Sequence, residues 1–173
     1  MISIPQLYIV ATPIGNLGDM TFRAVETLQT VDIVAAENTN TAKKLFSKFD
    51  IHTPLTSFHA YSTERVVDKI IQKIKSGKSV ALISEAGTPG ISDPGFSLVR
   101  KALEEGIKIT PIPGCCAAIT ALCASGLPTD KFVYLGFLPR KKGRRKLLES
   151  LCEEKRTIIF YESPHRLLKA LAD

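Results

Sequence analysis

The sequence predicts an α/β protein with a largely parallel sheet covered by helices on both faces. Three observations carry this expectation. Through residue 112, apolar runs of strand length alternate with segments of helical periodicity. The connections between them are mostly short, and the strands are apolar throughout rather than alternating, as burial on both faces requires.

The elements follow in order. Residues 6–12 (QLYIVAT) form an apolar run ending at Pro13, a buried strand, and the turn from Pro13 to Asp19 follows it. Residues 20–29 space Phe22, Val25 and Leu28 three apart, which gives a helix with one apolar face. Residues 31–36 (VDIVAA) are the second strand, and 41–49 a helix with Leu45 and Phe49 on one side and lysines on another. Residues 63–76 carry the clearest helical pattern: Val66, Val67, Ile70, Ile71 and Ile74 form a stripe that stops at Gly77, suited to a left-handed C-cap. A strand over 79–84, a helix over 96–105 and a strand over 108–112 complete this part.

Beyond Pro113-Gly114 the pattern is a small-residue helix over 115–125 and a strand over 132–136. A basic segment and helix span 139–154, and a strand follows over 157–161. Ser163-Pro164 then opens a last helix as N-cap and first turn. The chain ends inside that helix at Asp173 without a closing cap. The expectation is therefore a complete α/β domain over 1–113 and the start of a second, incomplete α/β domain over 114–173.

Composition excludes several classes. No apolar run reaches the roughly 20 residues of a membrane span, and the start (MISIP) lacks the basic and apolar regions of a signal peptide, so a cytoplasmic protein is expected. Cys115, Cys116, Cys123 and Cys152 form no C-x-x-C pair, which predicts reduced and largely buried thiols and no metal site. Residues 1–113 carry 12 Lys and Arg against 11 Asp and Glu, whereas 114–173 carry 11 against 6. A basic excess confined to the second part predicts a polyanionic partner there.

The loop over 84–95 (SEAGTPGISDPG) holds three glycines and two prolines in twelve residues. A plain connection needs about 2–6, and a loop at the carboxyl end of a buried strand lies where open α/β sheets bind ligands. No G-x-G-x-x-G is present. Gly77-Lys78-Ser79 has the tail of a phosphate loop, but Gln72 replaces its first glycine and a strand follows instead of a helix. The turns at 13–18 and 113–114 also sit at strand ends, where all three could converge on one crevice.

Arg140, Lys141, Lys142, Arg144, Arg145 and Lys146 place six cations in seven residues, enough to hold nucleic-acid phosphates. Glu37-Asn38-Thr39-Asn40 reads equally as an N-cap cluster or as part of a site. Glu162, His165 and Arg166 are further polar candidates, although a histidine near a helix start is more often structural.

In order along the chain stand TPIGNLGD (12–19), AEN (36–38), LISEAGTPGISDPG (82–95), PG with small residues (113–118), SGLPTDKF (125–132), GFLPRK (136–141) and FYESPHR (160–166). Together they resemble the ribosomal RNA small subunit methyltransferase I family of the tetrapyrrole methylase superfamily. The resemblance implies a two-domain fold with the cofactor cleft between the domains, a homodimer, S-adenosylmethionine as donor, and 2′-O-methylation of a cytidine ribose in small-subunit (16S) ribosomal RNA. It implies that Pro13, Ser84, Glu85, Ala86, Gly87, Ile91, Asp93, Cys116, Ala117, Phe137 and Leu138 border the cofactor. A general base would be Glu37 first, then Glu162 or His165.

The sequence departs from the family pattern at several places. Asn38 and Asn40 stand in a usual Glu-Asp-Thr-Arg, Cys115-Cys116 in a usual Pro-Ser, and Glu85 at a usual Asp. Two alternatives follow: a tetrapyrrole methyltransferase, or a non-catalytic RNA-binding relative.

Overall fold

The computed structural model describes residues 4–173 and divides into two compact units, one ending at Cys116 and the other spanning Ala117–Asp173. In the first, β1 (Leu7–Val10), α1 (Phe22–Thr30), β2 (Ile33–Ala36), α2 (Thr39–Lys48), β3 (Leu55–Ser57), α3 (Glu64–Lys75), β4 (Val80–Ile83), α4 (Phe96–Glu104) and β5 (Ile109–Ile112) follow one another. The strands form one sheet in the order β3-β2-β4-β1-β5, every pair parallel.

Two apolar layers sandwich that sheet. Ala24 and Leu28 of α1 and Ala42, Leu45 and Phe46 of α2 pack on Val10, Val34, Ala81 and Ile83. Val67, Ile70, Ile71 and Ile74 of α3 and Leu98 and Ala102 of α4 pack on Leu7, Ala35, Val80 and Leu82. Both central strands, β2 and β4, are fully buried along their length, which is why their residues are apolar at every position. Burying each large aliphatic side chain contributes about 1.5–3 kcal/mol, so α3 alone is a major anchor of this unit.

The α3 stripe lies as its spacing predicts, except that Val66 is only half-buried, and Gly77 takes φ +96 after the last turn. The α1 face is different. Phe22 is 97% exposed, and Ala24, Thr27 and Leu28 are the buried residues. The helix starts only after Thr21 caps Ala24 N, so Phe22 occupies the first turn and points off the sheet. The short edge strand β3 escapes the sequence pattern because Leu-Thr-Ser has no apolar run.

Ser79, in the triplet that resembles a phosphate-loop tail, is fully buried and structural. Its N and Oγ both donate to Asp32 Oδ2 (2.7 and 2.8 Å), joining the starts of β2 and β4. Those bonds, the backbone one first, hold the Asp32 carboxyl below its ordinary value.

The second unit contains α5 (Ala117–Ala124), β6 (Phe132–Phe137), α6 (Arg144–Leu151), β7 (Thr157–Tyr161) and α7 (Leu167–Ala172). Its sheet is the parallel pair β6 and β7 with an irregularity between Tyr134 and Phe137. Tyr134 and Phe137 meet the Tyr161 ring edge-on at 5.5 Å, and the Tyr161 hydroxyl accepts from Ala118 N near the start of α5. Ser163 makes no side-chain cap. The segment Pro164–Arg166 forms a 3₁₀ turn before α7 rather than its first α turn.

The cysteines are not interior. Cys115 and Cys116 are half-exposed, in the loop before α5, and Cys123 of α5 and Cys152 just after α6 are exposed. Among the described residues no helix is long and apolar enough to cross a membrane.

Candidate functional site

In this strand order, β1 continues through α1 to β2 on one side, and β4 continues through α4 to β5 on the other. These connections leave the neighbouring strands β1 and β4 on opposite faces of the sheet, α1 on one and α4 on the other, so the loops after the two strands flank a topological switch point, where open sheets form their ligand crevice. A two-way backbone pairing ties them there: Thr12 N donates to Gly87 O and Gly87 N to Thr12 O, both at 2.9 Å. Gly87 takes φ +84, a conformation that only glycine adopts freely.

The loop after β4 has two flanks. On the β5 flank, Thr88 Oγ1 donates to Cys115 O at 2.9 Å, and a Cβ at Gly87 would lie 3.7 Å from that same carbonyl. Gly114 approaches the end of β1 so closely that a Cβ would stand 2.9 Å from Ala11 Cβ. On the α2 flank, Glu85 Oε1 accepts from Asn38 Nδ2 (2.7 Å) and Thr41 Oγ1 (3.3 Å). Asn38 Oδ1 meanwhile accepts from Asn40 N and Thr41 N, so one side chain both caps α2 and ties it to the loop. Of the two readings of residues 37–40, the structure shows the cap, and none of the four lines the groove on this flank.

A groove of about 380 Å³ opens on the α2 flank. Pro13, Ser84, Glu85 and Ala86, all expected to border one ligand, share it with Thr12, Leu17, Thr41, Ala42, Lys44, Leu45 and Ile83. Gly87, Ile91 and Asp93 lie farther along the loop and do not line it; Ile91 is exposed and Ser92 is held at φ 62, a strained value for a residue with a side chain.

Three carboxylates gather here. Glu37 follows β2, and its Oε2 accepts from Glu85 N at 3.4 Å. Burial raises its proton affinity above the ordinary value, and the charges of Asp93 and Glu85 add to that, while the Glu85 amide and the His59 charge oppose it. Asp93 is raised likewise, first by burial and then by Glu85, against a hydrogen bond from Ser84. Glu37 and Asp93 are thus both held nearer their neutral form than ordinary carboxyls, with burial as the first cause.

The other expected residues lie elsewhere. Cys116 ends the first unit and Ala117 opens α5 of the second. Phe137 is exposed at the end of β6 and Leu138 is buried. Glu162 is an ion-pair hub: Oε1 meets Arg166 Nη2 at 2.6 Å and accepts from Ser163 N, while Oε2 lies 3.8 Å from Arg144 Nη1. The Ser163 amide first, then the two arginines, hold its carboxyl below the ordinary range against the effect of burial, which makes it a poor proton acceptor.

Arg144 corrects the picture of a free basic run. Its Nε is 2.7 Å from Asp173 Oδ2 and its Nη1 donates to Pro139 O, so it braces the unit. Arg140, Lys141, Lys142, Arg145 and Lys146 remain exposed, several around a hollow of about 560 Å³ that reaches to α7.

Thr12, Thr41, Lys44 and His59 were not singled out from the sequence. His59 follows the unforeseen strand β3, and Lys44 reads as one of several solvated lysines on α2; only the fold brings them to the carboxyl edge.

The chain is similar to several known proteins. The chain is 55% identical over 168 residues to Ribosomal RNA small subunit methyltransferase I of Halalkalibacterium halodurans, covering 96% of this chain and 58% of that protein. It is 53% identical over 169 residues to the protein of that name from Escherichia coli O157:H7, covering 97% and 59%. The chain thus spans about three fifths of the length of these curated relatives. Among solved structures, a cobalamin biosynthetic cobalt precorrin-4 methyltransferase superposes with a TM-score of 0.70 at 19% identity, over 97% of this chain and 73% of that one. A diphthine synthase does so with a TM-score of 0.70 at 18% identity, over 91% and 65%. At such identities these two report the fold alone. Residues 6–173 match the Tetrapyrrole (Corrin/Porphyrin) Methylases, and with the parallel sheet and its switch-point crevice this places the chain in the tetrapyrrole methylase family.

Proposed function

We propose that the protein transfers a methyl group to the 2′-hydroxyl of a cytidine ribose in small-subunit (16S) ribosomal RNA, acting in the cytoplasm as a homodimer. The methyl donor of the family is S-adenosylmethionine. The observation that carries the reading is the carboxylate cluster of Glu37, Glu85 and Asp93 at the switch point, whose raised members gain from a bound cation. S-adenosylmethionine is such a cation, and when bound it supplies an electrophilic methyl on a sulfonium sulfur.

The chain's own residues fit it. Asp93 is placed to hold a cationic or hydroxylic end, and the loop is open at Gly90, with nothing within 4 Å of where its Cβ would be. Cys116, Ala117, Phe137 and Leu138 are proposed to complete the binding residues. Glu37 is the proposed base. Its raised proton affinity brings it closer to neutrality than an ordinary glutamate, as proton removal from a weakly acidic hydroxyl requires. Holding oxygen, methyl and sulfur in line supplies much of the remaining rate. The exposed cations among residues 140–146 are the proposed phosphate contacts, and the names of the relatives support RNA as acceptor.

The test is methyl incorporation from labelled S-adenosylmethionine into small ribosomal subunits against a porphyrin precursor, with calorimetry for donor binding. Incorporation into the subunits is expected. Incorporation only into the porphyrin would overturn the substrate, and no binding heat at millimolar donor would overturn the enzyme.

A further inference from the structure

The groove on the α2 flank is separate from the β5 flank, where Thr88 and Gly87 meet Cys115. Its volume, about 380 Å³, lies in the range of small-ligand sites. Pro13, Leu17, Ala42 and Leu45 make it mostly apolar, and of its hydroxyls those of Thr41 and Ser84 are already bonded within the protein.

Thr12 is 3% exposed, and its Oγ1 is buried without a hydrogen-bond partner among the described residues. Its backbone N and O are already committed to Gly87, so the orphan is the hydroxyl alone. A buried hydroxyl is normally paired, because leaving it unpaired is costly. Glu85 accepts both of its inward bonds, from Asn38 and Thr41, on Oε1, which leaves Oε2 to accept from a ligand. Lys44 stands at the rim, exposed and without a carboxylate partner among the described residues.

An apolar slot with one unpaired hydroxyl, one open carboxylate oxygen and one cation at its mouth matches a nucleotide. The ring and sugar fill the slot, their amino or hydroxyl groups donate to Glu85, and the phosphate meets the lysine. We propose that this groove seats the nucleotide that accepts the methyl group, with Lys44 on its phosphate and Glu85 Oε2 and Thr12 Oγ1 on its polar edge. This rests on the RNA methyltransferase reading above and adds where the acceptor lies.

Lys44→Ala and Thr12→Val, with Thr12→Ser as the rescue, test it in the intact protein, with thermal unfolding to confirm folding. Methyl incorporation into small ribosomal subunits gives kcat and KM, and calorimetry gives the Kd for S-adenosylmethionine. For Lys44→Ala, KM for the RNA rises about tenfold and the salt dependence of binding loses about one phosphate contact. Thr12→Val also raises KM, Thr12→Ser restores it, and the donor Kd stays within about twofold of wild type in all three. A weakened donor Kd with unmoved RNA KM would make the groove part of the donor site and overturn the proposal, as would no change in either. Failure of the underlying reading shows separately, because wild type itself would then leave the subunits unlabelled.

Discussion

Asn38 Nδ2 donates to Glu85 Oε1 at 2.7 Å while Asn38 Oδ1 caps α2, so a neutral side chain joins the helix to the ligand loop. The family pattern has Asp at this position. Aspartate would keep the cap and gain about 0.3–1 kcal/mol from the helix dipole. It would also lose the donor and face the Glu85 carboxylate at contact distance. Two charges about 4 Å apart repel by about 1 kcal/mol in water and about 4 kcal/mol at an effective dielectric of 20, so repulsion wins. Asn38→Asp is expected to lower stability by about 1–2 kcal/mol at pH 7, and the deficit should close as pH falls through the carboxylate range. Urea unfolding at pH 7 and pH 4 measures both.

Asp93 has its proton affinity raised by burial and by Glu85. A carboxyl whose folded pKa lies above its unfolded value opposes folding when ionised. That cost is present above the folded pKa and absent below the unfolded value, near 4. Asp93→Asn should therefore raise Tm at neutral pH, with the gain fading towards pH 4, while weakening S-adenosylmethionine binding measured by calorimetry. A lower Tm at pH 7 would show that the Ser84 bond outweighs the burial.

Gly87 pairs with Thr12 at φ +84 and sits 3.4 Å, by its missing Cβ, from Ile14 Cγ2. Gly87→Ala meets the left-handed backbone, about 1–2 kcal/mol, in a buried setting where Ile14 is already at contact distance. A loss of about 2 kcal/mol is expected in chemical denaturation. Because the strain falls on the bridge between the two ligand loops, donor affinity should drop more than the global stability loss explains.

What was legible in the sequence is what depends on local periodicity. The α3 stripe and the apolar β4 run announce themselves, because each is a continuous pattern reporting a single burial environment. The site loop was legible through its glycines and prolines. The pairing of Arg144 with Glu162 was not: the basic run looks uniformly solvated until β7 brings Glu162 beside it. Phe22 misled for the opposite reason, since its three-residue spacing is real but it precedes the turn at which the helix meets the sheet. The division of the expected binding residues between two flanks of one loop is likewise tertiary, set by the strand order rather than by any spacing along the chain.

Glu162 provides the last prediction, because two roles for it diverge in what they predict. As a base, its replacement would abolish turnover and spare the fold. As the hub between Arg144 and Arg166, its replacement leaves two guanidiniums without their shared counter-charge and removes the carboxylate that orders Ser163. Its carboxyl is held below the ordinary range, so its contribution to stability is present above the unfolded value near 4.3 and is lost as pH falls through the lower folded value. Glu162→Gln should lower Tm at pH 7, and the gap to wild type should narrow under acid conditions. Residual methyl transfer, measured well below Tm, should persist in the folded fraction. Glu37→Gln should do the reverse, abolishing transfer while Tm at pH 7 holds or rises, since Glu37 is raised where Glu162 is lowered. Measuring transfer and unfolding on both variants decides which carboxylate takes the proton.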